Sequence, residues 1–425
     1  MRIDKICATQ VFDSRGVPTL RTGVTLKNGI TAWATVPSGA STGSHEAHER
    51  RDGGTVYGGK GVCQAAEDIN TAVSSALAGM DVTHQRRIDA RLIDLDGTEN
   101  KRRLGANALL SVSLAAARAA AQALGLPLYR YIGGAACGGV PLPMMNVLNG
   151  GAHADNNIDI QEFMIVPVAA ENFADAMRMG TDVYRALKEL LRAAGHATSV
   201  GDEGGFAPNL ADDEAALACL REAIIRAGYT PGEDIAIALD CAAAEWAVDD
   251  QYTMPKRGAN MTRAQLIERW VRLQAEYRLF SIEDPLGEED FAGFAELTRR
   301  IGSETLVVGD DLFTTNPARL AQGVAQGAAN AILIKPNQIG TLTETMDVIL
   351  AARAAGYRTI VSHRSGETCD PFIADLAVGM GAPLIKAGAP ARGERLAKYN
   401  RLLEIEWEMN NSLLQDAADT LMHRR

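Results

Sequence analysis

Six polar residues, each following a short apolar run, divide much of this chain into segments of similar length. They are Asp240, Glu283, Asp310, Lys335, His363 and Lys386, and successive members are 43, 27, 25, 28 and 23 residues apart. One strand and its crossover helix in a (β/α)8 barrel take roughly 25 to 30 residues. The spacing therefore predicts a TIM-type barrel in which each unit brings one titratable group to the rim where barrel enzymes place their chemistry.

The sequence around these residues supports the barrel. The apolar runs are DIQEFMIVP, IAIALD, FSIED, TLVVGDD, AILIK, TIVSHRSG and PLIKAG, and amphipathic segments such as RAQLIERWVRLQAEY and ETMDVILAARAAG lie between them. Alternation of short apolar strands with helices favours a parallel α/β barrel over an open sheet. We assign residues 141–425 to this catalytic domain.

The first part of the chain follows a different pattern. The strand-like runs TLRTGVTL and GITAWATV flank an Asn-Gly pair at Asn28, which is a hairpin signal. The helical segments GVCQAAEDINTAVSSAL and ANALLSVSLAAARAAAQALG follow, and the second ends at Gly125. We predict a smaller α+β N-terminal domain over residues 1–135, with GGAACGGVPLP as the linker.

Composition and charge exclude several classes of protein. The formal net charge is −11, which opposes non-specific binding to nucleic acid because such binding relies on neutralised phosphates. The apolar stretch 106–128 is interrupted by Arg118 and Gln122, so we expect a packed helix there and no membrane span. The start has no apolar signal-peptide core, and the six scattered cysteines suit reduced thiols. A cytoplasmic protein is expected.

Three of the strand-ending residues are carboxylates. Asp240, Glu283 and Asp310 offer hard oxygen ligands without a histidine or cysteine partner, which is the donor set that magnesium prefers. The alternative is three unrelated loop carboxylates. Their common position at strand ends favours a metal site.

Two lysines also end apolar strands. Lys335 closes AILIK and Lys386 lies in PLIKAG. Lysine is rarely buried without a partner or a function, and a nearby divalent cation destabilises its ammonium form. One lysine would then act as a base and the other would hold the substrate, although each alternatively extends to the rim for solubility alone. The residues themselves do not decide which lysine has which role.

Four further positions are candidates. Glu203, within a glycine-rich turn, suits a general acid or simple turn chemistry, and Glu162 is a polar residue in an apolar strand. Arg364 in SHRSGET offers a planar fork for phosphate or carboxylate, and the alternative is a surface loop. The small-residue loop 36–47 is either an ordinary flexible loop or a lid that donates a serine oxygen to a metal.

Taken together, these segments resemble the enolase family. The motifs PSGASTG, LGANA, NGGAHADNN, QEFMI, GDEGG, SIED, GDDL, LIKPNQIG and SHRSGET occur in the family's order across nearly the whole chain. The resemblance implies a variant barrel whose first units break the regular βα order, and this variant would account for the 43-residue spacing. It also implies the glycolytic lyase reaction of phosphopyruvate hydratase, which reversibly dehydrates 2-phospho-D-glycerate to phosphoenolpyruvate.

The resemblance assigns roles by motif. Lys335 is similar to the base that removes the C2 proton, and Glu203 to the acid that helps the C3 hydroxyl leave, with Glu162 nearby. Two magnesium ions would stabilise the aci-carboxylate that forms. The remaining site residues implied are Asp240, Glu283 and Asp310 for the tighter magnesium, Ser41 for the second magnesium, and His153, Gln161, Arg364, Ser365 and Lys386 for the substrate.

The resemblance also implies a homodimer, or an octamer built from dimers, and a cytoplasmic location with a secondary cell-surface or secreted pool. Arg21 stands where the family often has a carboxylate, and Glu404 where it often has an arginine. If the two positions meet across a two-fold interface, the ion pair is retained with reversed polarity.

Two other functions compete with this interpretation. Another lyase or racemase of the same superfamily would share the three carboxylates and a base, but the GDEGG, SHRSG and PSGASTG motifs argue against it. An enolase-like chain kept only for binding is opposed by the intact Lys335 and Glu203.

Overall fold

The computed structural model describes residues 1–39, 43–248 and 251–409. Its first sheet is antiparallel and contains β1 (Ile3–Phe12), β2 (Pro18–Leu26) and β3 (Thr31–Thr35) in that order. The turn between β2 and β3 contains Gly29 at φ +87°, a conformation that residues with a Cβ atom rarely adopt. The predicted Asn-Gly hairpin is therefore confirmed.

Helices cover one face of this sheet. They are Cys63–Asp68 and Ser74–Leu77, joined by the π-helical turn Ile69–Val73, followed by Gln85–Asp96, Ala106–Leu124 and Leu128–Gly133. Ala106–Leu124 packs on β2 and β3. It is rich in alanine, and small side chains allow a helix to approach a sheet closely. Gly125 ends it at φ +68°, as a left-handed C-terminal glycine commonly does.

The remaining strands follow in chain order. They are β4 (Leu142–Asn149), β5 (Glu162–Val166), β6 (Ala236–Asp240), β7 (Ala247–Val248), β8 (Gln251–Thr253), β9 (Asn260–Thr262), β10 (Ser281–Glu283), β11 (Leu306–Gly309), β12 (Ala331–Ile334), β13 (Arg358–Ser362) and β14 (Leu384–Lys386). All except β7, β8 and β9 form one closed barrel of eight strands. The predicted barrel is confirmed, and all seven predicted apolar runs contribute a strand.

The eighth barrel strand, β4, was not predicted. Its sequence LPMMNVLN begins inside the predicted linker and contains Pro143, which pairs with Ile385 of β14. Proline cannot donate a ladder hydrogen bond, so it argues against a central strand in a sequence. The strand forms nonetheless, and all eight of its residues are buried.

The start of the barrel departs from the regular order, as the family resemblance implies. Strand β5 runs antiparallel to both β4 and β6, whereas the other neighbouring barrel strands are parallel. The reversed strand does not cause the 43-residue spacing, however. That spacing contains the 3-10 helix Ala243–Trp246 and the small antiparallel sheet β7-β8-β9, which are inserted between β6 and the next helix.

The helices around the barrel begin where the sequence provides a capping side chain. The longer ones are Phe173–Ala193, Asp213–Arg226, Arg263–Tyr277, Phe291–Ile301, Pro317–Gln326, Leu342–Ala354, Phe372–Met380 and Gly393–Glu408. The first six follow Asn172, Asp212, Thr262, Asp290, Asn316 and Thr341, each of which accepts a backbone N–H of the first turn. These bonds satisfy donors that a helix start leaves free.

Alternation along the strands determines which side chains reach the mouth of the barrel. Ala331 and Leu333 of β12, and Val308 of β11, belong to the apolar cluster of the barrel interior. Side chains on one face of a strand recur every second residue. The next inward positions are therefore Lys335 and Asp310, above the apolar interior and at the open end.

Two of the contacts that join the N-terminal domain to the barrel lie near the loop after β13. Ser38 and Gly366 exchange backbone hydrogen bonds of 2.8 and 3.0 Å. The guanidinium of Arg118 binds both carboxylate oxygens of Asp370, with two N–O distances of 2.6 Å. The N-terminal domain therefore lies against the loops at the mouth of the barrel.

Within the described ranges, no single helix is both long and apolar enough to cross a membrane. The segments 106–124 and 128–136 meet the length and hydropathy criteria only when taken together across a bend of 95°.

Candidate active site

A polar cavity opens at the mouth of the barrel, with about 530 Å³ of space not filled by atoms. Eight carboxylates and three cationic side chains line it. The lining residues are Glu46, His153, Gln161, Glu162, Glu203, Asp240, Ala242, Glu245, Asp284, Asp310, Asp311, Lys335, Ser362, His363, Arg364, Ser365 and Lys386. Of the predicted site residues that the structure describes, all except Glu283 lie on this surface.

Strand direction explains how Glu162 reaches the cavity. It is the first residue of β5, whereas Asp240 is the last residue of β6, and the two are paired in the barrel ladder. Because β5 is antiparallel, its beginning lies at the same rim as the ends of the parallel strands. A residue at the start of a strand can therefore join residues at the ends of its neighbours.

Lys386 is surrounded by carboxylates. Its Nζ lies 2.9 Å from both oxygens of Glu283, 3.0 Å from Oδ2 of Asp240 and 3.2 Å from Oε2 of Glu162. Burial favours the neutral amine, but Asp240 and the neighbouring carboxyl groups outweigh it and hold the pKa of Lys386 well above its usual value. The predicted metal ligands Asp240 and Glu283 thus converge on one cationic centre.

Lys335 forms a buried ion pair with Asp310. Burial lowers the pKa of Lys335, but the carboxylate of Asp310 more than compensates, and the pKa is raised. The same ion pair holds the pKa of Asp310 below its usual value, although burial acts in the opposite direction. The ammonium form of Lys335 is favoured here. The prediction of a neutral lysine concerns a site in which a metal ion is bound beside it.

The carboxylates suit a hard cation. Burial, followed by the repulsion of neighbouring carboxylates, raises the pKa of Glu283 and of Asp284, and raises that of Asp311 to about 7. Oxygens of Asp284, Asp310 and Asp311 lie within 4.8 Å of one another and could hold a metal ion. Asp240, Glu283 and Asp310 do not form such a cluster among the described residues. The cavity nonetheless contains more carboxylates than cationic side chains. This negative charge fits divalent cations, whose binding would relieve the repulsion between the carboxylates.

Glu162 and Glu203 are adjacent buried carboxyl groups, and the charge of Glu203 affects the pKa of Glu162. Burial and the neighbouring Glu203 raise the pKa of Glu162, whereas His363 and His153 hold the pKa of Glu203 well below its usual range despite its burial. His153 Nδ1 lies 3.4 Å from Glu162 and 3.9 Å from Glu203. A proton shared by this pair would therefore favour Glu162 over Glu203.

His363 and Arg395 extend this wall. His363 was predicted to reach the rim but was given no role, whereas Arg395 was not predicted. Nη1 of Arg395 donates to Nδ1 of His363 at 2.6 Å, and Nε2 of His363 lies 3.4 Å from Glu203. Because arginine cannot accept, His363 carries its proton on Nε2 and is neutral. Burial and then Arg395 lower the pKa of His363 to about 4, against the opposing effect of Glu203. Nothing in the sequence around Arg395, which lies on a helix, indicated this contact.

The predicted substrate contacts occupy the remaining wall. Arg364 and Ser365 follow β13, and both are buried. Gln161 donates to Oδ2 of Asp240 at 3.2 Å. The cavity thus brings His153, Gln161, Arg364, Ser365 and Lys386 together, as predicted, although their contact with a substrate remains a prediction.

Ser41 lies outside the described residues, so its predicted role is not tested. The segment that follows it contacts the barrel rim. Ser44 Oγ donates to Glu288 at 2.5 Å, and Nε2 of His45 lies 2.6 Å from Glu289. Glu46, which sequence analysis missed, enters the cavity and pairs with Arg364. The only signal was its position at the end of the predicted lid loop.

Comparison with known proteins agrees with this architecture. The model of the enolase N-terminal domain matches residues 3–132, and that of the enolase C-terminal TIM barrel domain matches residues 138–421. A curated relative named Enolase, from Acidothermus cellulolyticus, is 54% identical to this chain over 410 residues. The match covers 96% of this chain and 95% of the relative.

Proposed function

The chain belongs to the enolase family, and from this premise we propose how its residues convert 2-phospho-D-glycerate to phosphoenolpyruvate and water. It is a glycolytic phosphopyruvate hydratase, a carbon–oxygen lyase. The proposed mechanism rests on one observation: two buried lysines, several carboxylates and Arg364 line the same cavity. A base, an acid and a group for the phosphate are thus available on different walls.

We assign removal of the C2 proton to Lys335. Its Nζ lies at the cavity beside Asp310, and its strand position holds it rigidly above the apolar interior. A lysine must be neutral to accept a proton. Relief of its contact with Asp310 is the change that would lower its pKa in the working enzyme.

Asp240, Glu283 and Asp310 are the proposed ligands of the tighter of two magnesium ions, and Ser41 of the second. Magnesium bound here supplies positive charge against the negative charge that grows on the substrate carboxylate after proton removal. Lys386, already among Asp240 and Glu283, contributes an ammonium group on the same wall and is proposed to bind the carboxylate.

We assign departure of the C3 hydroxyl to Glu203 and Glu162. Loss of hydroxide requires a proton at the leaving oxygen. The pair retains a proton because two adjacent buried carboxylates do not ionise together easily. Because the proton favours Glu162 in this arrangement, it would first pass to Glu203, which would then deliver it to the departing hydroxyl. His153 and His363 lie 3.9 and 3.4 Å from Glu203 and would hold its carboxyl group in position.

The substrate phosphate is proposed to bind Arg364 and Ser365, with Gln161 and His153 completing the contacts. A guanidinium presents paired donors that match phosphate oxygens. Its buried position strengthens this electrostatic contact, because water screens it less there.

We further propose a homodimer, or an octamer of dimers, acting mainly in the cytoplasm, with any surface or secreted pool secondary. Arg21 and Glu404 are exposed, as a pair between two subunits would require. Within the chain, Arg21 stacks on Trp33 and Glu404 pairs with Arg401. Arg21→Glu should weaken the dimer, and the added Glu404→Arg should restore it, by about 0.2 to 1 kcal/mol. Sedimentation velocity that shows no change in either variant would remove this pairing.

Magnesium-dependent turnover of 2-phospho-D-glycerate, followed by the absorbance of the enol product, tests the assignments. Lys335→Ala and Glu203→Gln should each reduce kcat by about two to four powers of ten, the usual contribution of general acid–base catalysis. The matched controls are Lys27→Ala and Glu233→Gln, which change the same residue types at exposed positions. Retained activity in Lys335→Ala would exclude it as the base.

A further inference from the structure

The arginine proposed to bind the substrate phosphate already binds a carboxylate of the protein. Nη1 of Arg364 donates to Oε2 of Glu46 at 2.9 Å, and Nη2 donates to Oε1 at 3.1 Å. The exposed fractions of these two side chains are 3% and 9%. This is the parallel two-bond geometry by which arginine also binds phosphate.

Other contacts hold Glu46 in place independently of Arg364. Its Oε1 accepts the backbone N–H of Gly43 at 3.0 Å and lies 3.4 Å from Nε2 of Gln338. The amide of Gln338 is itself oriented, because it accepts from Thr315 at 2.7 Å and donates to Asp310 at 3.0 Å. Glu46 can therefore lose its contact with Arg364 and keep a second set of partners.

We propose that Glu46 occupies Arg364 as an internal anion, which a phosphate must displace in order to bind. This inference rests on the proposed function, because it takes Arg364 to be the phosphate-binding group. Both terminal nitrogens of the guanidinium point to Glu46. A phosphate cannot form the same two bonds while the carboxylate remains there.

The exchange favours ligands with two negative charges. A monoanionic group offers Arg364 no more charge than Glu46 does, and Glu46 is tethered beside the arginine at a high effective concentration. A phosphate dianion interacts more strongly with the same guanidinium and so displaces the carboxylate. Glu46 thus lowers the apparent affinity for every anion that needs Arg364 by the same factor, so that a dianion still binds where a monoanion binds too weakly to displace the carboxylate.

Isothermal titration calorimetry with inorganic phosphate, on the full chain at pH 8 and a fixed magnesium concentration, tests this role. Glu46→Gln keeps the shape of the side chain but removes its charge. If Glu46 occupies the arginine nine-tenths of the time, its removal tightens phosphate binding by about tenfold. Acetate, the monoanionic probe, should gain by about the same factor, because both ligands lose the same competitor.

Glu49→Gln is the matched control, because Glu49 lies in the same segment but pairs with Arg51 at 2.7 Å and acts on Arg364 only through its charge. Its phosphate affinity should rise much less than that of Glu46→Gln. Glu46→Asp, with a shorter charged side chain, should give an intermediate affinity. A melting curve with and without phosphate checks folding, and the phosphate-induced rise in Tm should be larger in Glu46→Gln than in the wild type.

Unchanged or weaker phosphate binding by folded Glu46→Gln would overturn the proposal, since it would mean that Glu46 orients Arg364 instead of competing for it. The binding measurement needs no turnover. Failure of the wild type to convert 2-phospho-D-glycerate would defeat the proposed function, whereas the phosphate titration alone decides the role of Glu46.

Discussion

The ion pair between Arg118 and Asp370 should be a main source of stability at the junction of the two domains. Its two N–O distances are 2.6 Å, and the side chains are 18% and 8% exposed. Asp370 also accepts the backbone N–H groups of Thr35 and Phe372. Removal of one partner leaves a buried charge uncompensated, which costs about 3 to 5 kcal/mol. We expect Arg118→Met to lower the free energy of unfolding by about 3 kcal/mol, the lower end of this range, because Asp370 keeps its two backbone donors.

A double-mutant cycle with Arg118→Met and Asp370→Asn, followed by urea unfolding, measures this pair. The double variant should lose about as much stability as one single variant, so the coupling free energy should be about 3 kcal/mol. Arg86→Met is the control, because Arg86 binds Asp347 with the same two-bond geometry across the same domains, but with 63% and 49% exposure. This exposed pair should contribute less than about 1 kcal/mol.

The pH dependence provides a second readout of the same pair. Burial raises the pKa of Asp370, but Arg118 and the backbone donors outweigh it, so the pKa is lowered. A carboxyl group with a lowered native pKa stabilises the protein above its unfolded pKa of about 3.9, and this contribution is lost as the pH falls below that value. The Asp370→Asn variant should lack this component of acid unfolding. A coupling energy below about 0.5 kcal/mol would refute the reasoning.

Three further outcomes are expected. Removal of magnesium with a chelator should abolish turnover, and added magnesium should restore it; activity that survives chelation would contradict the metal assignment. Gln338→Met, which removes the donor to Asp310, should weaken magnesium binding by about 10- to 100-fold in a calorimetric titration. Because the pKa of His363 falls from 6.5 to about 4 on folding, it should destabilise the fold progressively as the pH falls from 6.5 to 4. His363→Gln should show a smaller loss of unfolding free energy between pH 7 and 5, and an equal loss would contradict this.

The barrel and the strand-end residues of the site could be predicted because both depend on local patterns, whereas the roles of Gln161, Ser365 and Ser41 were indicated only by the family resemblance. Each strand is a short apolar run followed by one polar residue, and alternation with period two places Lys335 and Asp310 at the open end. The helix ends follow from capping residues and glycines. These signals lie within a few residues of the feature they specify, so a single sequence reveals them.

The features that were missed depend on residues that meet only in three dimensions. Strand β4 was hidden by Pro143, because a proline argues against a central strand when the sequence is considered alone. Arg395 reaches His363 from a helix 32 residues further along the chain, and Glu46 reaches Arg364 across 318 residues. No local pattern distinguishes such side chains from ordinary surface arginines and glutamates.

The exchange of the C2 proton of 2-phospho-D-glycerate with deuterium from the solvent tests the central assignment most directly, because it reports proton removal without loss of hydroxide. With magnesium present, we predict that Glu203→Gln still exchanges this proton, although it forms little phosphoenolpyruvate. Lys335→Ala should show no exchange above the uncatalysed background. Exchange by folded Lys335→Ala at the wild-type rate would contradict the account.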